Sequence, residues 1–140
     1  MLVADSSVWI DFFNGASNEA SDALEGWLLQ GDAQVLMPDL VLFEVLRGFR
    51  AEREVRDALR LLVPMGVAPI GGEAEALRAA ERYRGLRAAG WTVRSSVDAL
   101  LASYCIDHDH ILLHRDRDFL PYVERYGLRV WPLAAGGTAP

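Results

Sequence analysis

Five carboxylates stand at positions where an α/β chain commonly does its chemistry. Asp5 follows the apolar run Leu2–Ala4, Asp116 and Asp118 follow Ile111–Leu113, and Asp98 lies just after a helix start marked by Ser95. Glu44 is set in LVLFEVL, with apolar residues on both sides. A carboxylate among residues that bury is costly unless a counter-charge meets it. Arg47, three residues on, is one candidate partner through an i,i+3 ion pair; a metal cation is the other. Each remaining acid also has a local explanation. Asp5 can serve the turn into a helix near Ser7, Asp98 stands where a capping box opened by Ser95 would place an acid, and Asp118 can cap a helix carrying Leu120 and Val123.

Taken together, the five predict more than any one of them. Converging carboxylates repel, which raises their pKa values or drives them apart unless divalent cations hold them. An all-oxygen ligand set favours Mg²⁺ or Mn²⁺ over zinc or copper. Two such ions about 4 Å apart can activate a water and stabilise the leaving oxygen of a phosphodiester. The expected chemistry is hydrolysis of phosphate esters, with nucleic acid one natural substrate.

Composition narrows the field. All 14 basic residues are arginine, which excludes Schiff-base, P-loop and kinase chemistry, each of which needs a lysine. A formal net charge of −6 argues against a protein that coats nucleic acid through bulk positive charge. Five of the negative charges belong to the candidate site, however, so the rest of the chain is nearly neutral and meets phosphate with arginine alone. The tract Asp107–His110 resembles a metal motif but falls where a helix gives way to a strand, and is expected to be a solvated loop. His114 directly precedes the acidic turn and can line the site, with a general-base role secondary because a water beside a divalent ion needs less help. Gly71-Gly72 lacks the spacing of a phosphate loop, and no serine sits in a nucleophile elbow. A single cysteine, Cys105, cannot form an internal disulfide and is expected to be a buried, inert thiol. No signal peptide and no apolar run of about 20 residues is visible, so a cytoplasmic protein that does not cross a membrane is expected.

The elements that must position these acids follow from the apolar pattern. Leu2–Ala4, Val35–Met37, Ile111–Leu113 and Leu128–Trp131 read as short buried strands. Helices are expected near Ser7, over 18–29 with Gly31 as a stop, over 39–47 after Pro38, through Val55, Leu59 and Leu62 up to Pro64, over 73–89 up to Gly90, and from Ser95 onward. Strands alternating with helices predict one α/β domain over residues 1–133, its parallel sheet covered on both faces, with residues 134–140 as a flexible tail.

The order Asp5 in VADSSVWIDFF, Glu44 in LVLFEVLRG, Asp98 in VRSSVDALLASY and Asp116 in LLHRDRDF resembles that of PIN-domain proteins. Within them it is most similar to the VapC-type toxins of bacterial toxin–antitoxin (VapBC) pairs, across nearly the whole chain. The resemblance implies a three-layer α/β/α sandwich and a Mg²⁺- or Mn²⁺-dependent endoribonuclease with one or two ions per site. It also implies a homodimer held inactive by a small VapB-type antitoxin, an arginine of which can enter the acidic pocket. By position, Asp5, Glu44, Asp98 and Asp116 match the family's acidic set, Asp118 a further acid used by some members, and Ser7 a supporting hydroxyl. His114 replaces the commoner threonine or serine. On this basis Asp5, Asp98 and Asp116 are expected to hold one ion, with Glu44 and Asp118 completing the site directly, through a second ion or through water. Arg47, Arg94, Arg115 and Arg117 lie nearest the acidic motifs and suit RNA phosphates. A phosphatase of the haloacid dehalogenase type would need an acid where Ser7 stands and a lysine further on; a receiver domain also needs the lysine. Two alternatives stay open: a non-catalytic module that binds antitoxin and operator, and a stand-alone PIN-type nuclease.

Overall fold

The computed structural model describes residues 1–31 and 34–132, so the expected tail at 134–140 lies outside the described residues. The elements run β1 (Leu2–Ala4), α1 (Ser6–Phe13), α2 (Glu19–Leu29), β2 (Val35–Pro38), α3 (Asp39–Leu46), α4 (Glu52–Leu62), β3 (Val67–Ala68), α5 (Glu73–Ala88), α6 (Ser96–His108), β4 (Ile111–Leu113), α7 (Leu120–Tyr126) and β5 (Arg129–Trp131). Short 3₁₀ turns at Val63–Met65 and Arg117–Phe119 join the longer pieces.

The strands form one parallel sheet in the order β3-β2-β1-β4-β5. The four strands expected from sequence are all present, and β3 is a fifth. Val67–Ala68 is too short to show a period, and only its pairing with Met37 and Pro38 on β2 makes it a strand. From β1 the chain steps outward through β2 to β3, then returns to β4 on the other side of β1. With right-handed crossovers, the connections before and after that reversal fall on opposite faces of the sheet. The packing agrees: α1 lies against α2 and α3, and α3 against α4, while α5 lies against α6 and α7. The result is the α/β/α sandwich.

Burial explains why the short strands suffice. Leu2, Val3 and Ala4 of β1 and Leu112 of β4 are completely buried, as a strand covered on both faces requires. Val41 and Val45 press α3 onto this layer, while Leu101, Ala102 and Cys105 do the same for α6. Cys105 is buried as expected, and burial pushes its thiol up to about 12, which leaves it inert.

The expected loop at Asp107–His110 is different in the structure. Helix α6 runs through His108, and Asp109 closes it in the left-handed conformation (φ 55°). Asp107, His108 and Asp109 are exposed as expected, but the Asp107 carboxylate is paired: it takes Arg82 Nη2 at 2.6 Å and Arg78 Nε at 2.7 Å, both from α5. Arg82 Nη1 also donates to Ser103 O and Oγ, at 3.1 and 2.5 Å. This fork ties α5 to α6. No helix among the described residues is long and apolar enough to cross a membrane.

Candidate active site

The reversal of strand order between β1 and β4 opens a crevice beyond their carboxyl ends, where open parallel sheets place their sites. The register pairs Ala4 with Leu113, and Asp5 N donates to Leu113 O at 3.0 Å, so Asp5 and His114 leave the sheet side by side. The local explanation for Asp5 holds as well. Its side chain caps α1, accepting from Val8 N at 3.2 Å and from Ser7 Oγ at 2.6 Å. Burial raises the Asp5 carboxyl above its ordinary value, partly offset by those donors and by His114. Ser7 therefore fixes the Asp5 carboxylate.

Asp98 enters from the first turn of α6. Ser95 Oγ accepts from Asp98 N at 3.2 Å, which is half of a capping box. The Asp98 carboxylate does not complete it. Instead, one oxygen each from Asp98, Asp116 and Asp118 come within 4.8 Å of one another. Burial pushes Asp98 up to about 7, and the negative charges of Asp5, Glu44, Asp116 and Asp118 each add to that rise. All five sequence-predicted carboxylates thus share one electrostatic neighbourhood. The tightest group contains Asp118 where the resemblance placed Asp5.

Asp118 does not cap the following helix. Asp116 caps the intervening 3₁₀ turn, accepting from Asp118 N at 3.0 Å, and Phe119 occupies the N-cap of α7. With its backbone held this way, the Asp118 side chain is left to face Asp98. His114 Nδ1 accepts from Asp116 N at 3.1 Å, which places the proton of its neutral ring on Nε2. Burial holds the imidazole below its ordinary pKa. A neutral ring with Nδ1 already engaged has only its Nε2–H left to offer, which makes it a donor and argues against a base.

Glu44 meets the first of its foreseen partners, Arg47, and stands close to a further carboxylate. It lies near enough to Asp98 to raise that residue's pKa, and Arg47 Nη2 is 3.8 Å from its carboxylate. Arg115 pairs with Asp11, an acid on α1 that the sequence argument did not single out. Asp11 also accepts from Asn18 Nδ2 at 3.1 Å. The available signal was its place among Trp9, Ile10 and Phe12, the same pattern that drew notice to Glu44. Arg94 and Arg117 are exposed and make no ion pair among the described residues.

An all-carboxylate triad in which Asp98 carries a raised pKa fits a hard divalent cation, which would offset the burial and repulsion that favour protonated Asp98. A family model described as PIN domain matches residues 2–123. A VapC ribonuclease of Mycobacterium bovis is 29% identical over 119 residues, 85% of this chain and 89% of that protein. Ribonuclease VapC11 of Mycobacterium tuberculosis matches to the same extent. Among solved structures, FitAcB from Neisseria gonorrhoeae superposes with a TM-score of 0.70 at 17% identity, covering 95% of this chain and 100% of that one. FitAB bound to an IR36 DNA fragment also gives 0.70 at 17% identity, with 94% of each chain covered. These two likenesses concern the fold.

Proposed function

The chain belongs to the PIN-domain family, and from that premise we propose that it is an endoribonuclease toxin that hydrolyses RNA phosphodiester bonds with the help of Mg²⁺ or Mn²⁺. The observation that carries this reading is the meeting of Asp98, Asp116 and Asp118 oxygens within 4.8 Å at the switch point of the sheet. The names of the VapC relatives support the RNA substrate and the toxin role. When bound, a divalent cation supplies a Lewis acid that lowers the pKa of a water and offsets charge at the phosphate.

The chain's own residues do the rest. Asp98, Asp116 and Asp118 present the ligand oxygens, Asp5 is fixed by Ser7 beside them, and Glu44 closes the acidic rim. Asp98 must give up its proton before it can serve, so the site loads more readily as pH rises toward and past about 7. His114 offers its Nε2 proton to a phosphate oxygen or to a water. Of the four arginines nearest the acidic motifs, Arg94 and Arg117 are left to meet phosphates; Arg47 and Arg115 are engaged with Glu44 and Asp11. Hydrolysis adds one water across one P–O bond and leaves a phosphomonoester and a hydroxyl.

We also propose a homodimer inhibited by a small antitoxin, a basic side chain of which competes with the cation for this pocket. The decisive measurement is cleavage of labelled RNA by antitoxin-free protein in Mn²⁺, in Mg²⁺ and in EDTA. Activity should require the cation and fall at least about 100-fold in Asp116→Asn and Asp118→Asn. Cation-dependent cleavage that survives Asp116→Asn sinks the assigned site. Calorimetry with no Mn²⁺ uptake by the wild-type protein returns the chain to a non-catalytic binding role.

A further inference from the structure

Phe43 stands next to Glu44 on α3, yet 59% of it is exposed, while Val41 and Val45 on the same helix are buried in the core. The Arg47 guanidinium lies 5.4 Å from the Phe43 ring centroid and 3.8 Å from the Glu44 carboxylate. One arginine thus bridges an exposed aromatic face and the rim of the acidic cluster. We propose that Phe43, steadied by Arg47, is a stacking platform for a nucleobase of single-stranded RNA lying beside the scissile phosphate. The inference rests on the nuclease reading and deepens it by naming the part of the substrate that this edge of the site holds.

The physical case starts from repulsion. A strand carrying phosphates toward five carboxylates gains little from coulombic attraction at that edge, and Arg47 is already shared with Glu44. Base–aromatic stacking is indifferent to those charges and accepts any base, because every base has a π face. Unstacked bases of single-stranded RNA are commonly held in this way, against aromatic rings or guanidinium planes. Phe43 and Arg47 supply one of each, beside Glu44 at the rim of the acidic cluster.

The test uses the full chain, short fluorescein-labelled oligoadenylate and an otherwise identical oligomer with abasic positions. Binding is read by anisotropy in Ca²⁺, and cleavage kinetics in Mn²⁺. Phe43→Ala should weaken oligoadenylate binding about 5- to 100-fold, raise KM and leave kcat close to wild type. Phe43→Trp should keep the affinity and show fluorescence quenching on RNA addition. Phe43→Leu, apolar but not aromatic, should behave like Phe43→Ala, and the abasic oligomer should not distinguish any of the variants. The loss should persist at high salt, where phosphate contacts fade. Leu29→Ala, which removes an exposed apolar side chain on α2, serves as the control.

Equal affinity and KM for wild type and Phe43→Ala overturn the inference, as does full retention by Phe43→Leu. A loss of RNA binding that coincides with dissociation to monomers in sedimentation velocity assigns Phe43 to a contact between copies and also overturns it. Wild-type protein that cleaves no RNA in Mn²⁺ fails the nuclease reading itself, so the two failures are distinguishable.

Discussion

At neutral pH the Asp98 carboxyl sits near its own titration point, since burial and four neighbouring acids push it up to about 7 from an ordinary 3.8. Its folded value lies above its unfolded one. The stability it contributes is therefore present in full below about pH 3.8 and is lost as pH rises through about 7. Ion-free protein is penalised for the charge that the nuclease reading requires. Asp98→Asn should thus pull activity and stability in opposite directions. RNA cleavage in Mn²⁺ falls at least about 100-fold, while the melting temperature in EDTA rises above wild type at about pH 8. The difference should shrink toward zero near pH 4, where the wild-type residue is protonated too. Thermal melts of both proteins across that range, with EDTA throughout, check the sign. A variant that melts lower than wild type at the alkaline end would show that Asp98 is held by attraction rather than by burial among like charges.

Helices α5 and α6 are joined by a carboxylate that has no part in the site. Burial alone would raise the pKa of Asp107; hydrogen bonds from Arg82 and Arg78 outweigh it and leave the group lowered. Its contribution to stability is present above the ordinary carboxylate range and is lost as pH falls through the lowered value. Asp107→Asn should cost on the order of 1 kcal/mol, the upper end for ion pairs screened by solvent, and leave cleavage per folded molecule unchanged. Urea denaturation beside an activity assay tests both halves; a large loss of activity with unaltered stability would contradict the assignment. The sequence did not disclose this tie because Arg78 and Arg82 lie 29 and 25 residues from Asp107, and no local pattern carries such a pair. The same limit hid Asp11–Arg115, 104 residues apart, and β3, whose existence depends on a neighbouring strand. By contrast, Asp5, Asp98 and Asp116 were legible, because strand ends and first helical turns are local features. Asp118 was half legible: its proximity to a helix start was visible, but not that Asp116 and Phe119 would take the capping positions.

The molecule as a whole carries −6 with 14 arginines and no lysine, so its affinity for RNA cannot come from a general positive field. The fold gathers five of its carboxylates at one crevice, and several arginines that approach them are engaged by acids. Arg47 is shared with Glu44, and Arg115 is held by Asp11. Of the four arginines nearest the acidic motifs, Arg94 and Arg117 are the pair that make no ion pair among the described residues. Each phosphate contact on a single strand contributes about −0.7 to the slope of log affinity against log salt. Two contacts predict a slope of about −1.4, and four would give about −2.8. Anisotropy titrations of single-stranded RNA over a range of KCl, at fixed Ca²⁺, separate the two. The shallow slope is expected, and Arg94→Gln and Arg117→Gln should each reduce it by about 0.7. A slope near −2.8 would mean that RNA draws Arg47 and Arg115 away from Glu44 and Asp11. In that case Asp11→Asn, which releases Arg115 beforehand, should strengthen binding. With the shallow slope, the weak salt dependence follows from the engagement of Arg47 and Arg115, two of the four arginines nearest the acidic motifs, by Glu44 and Asp11.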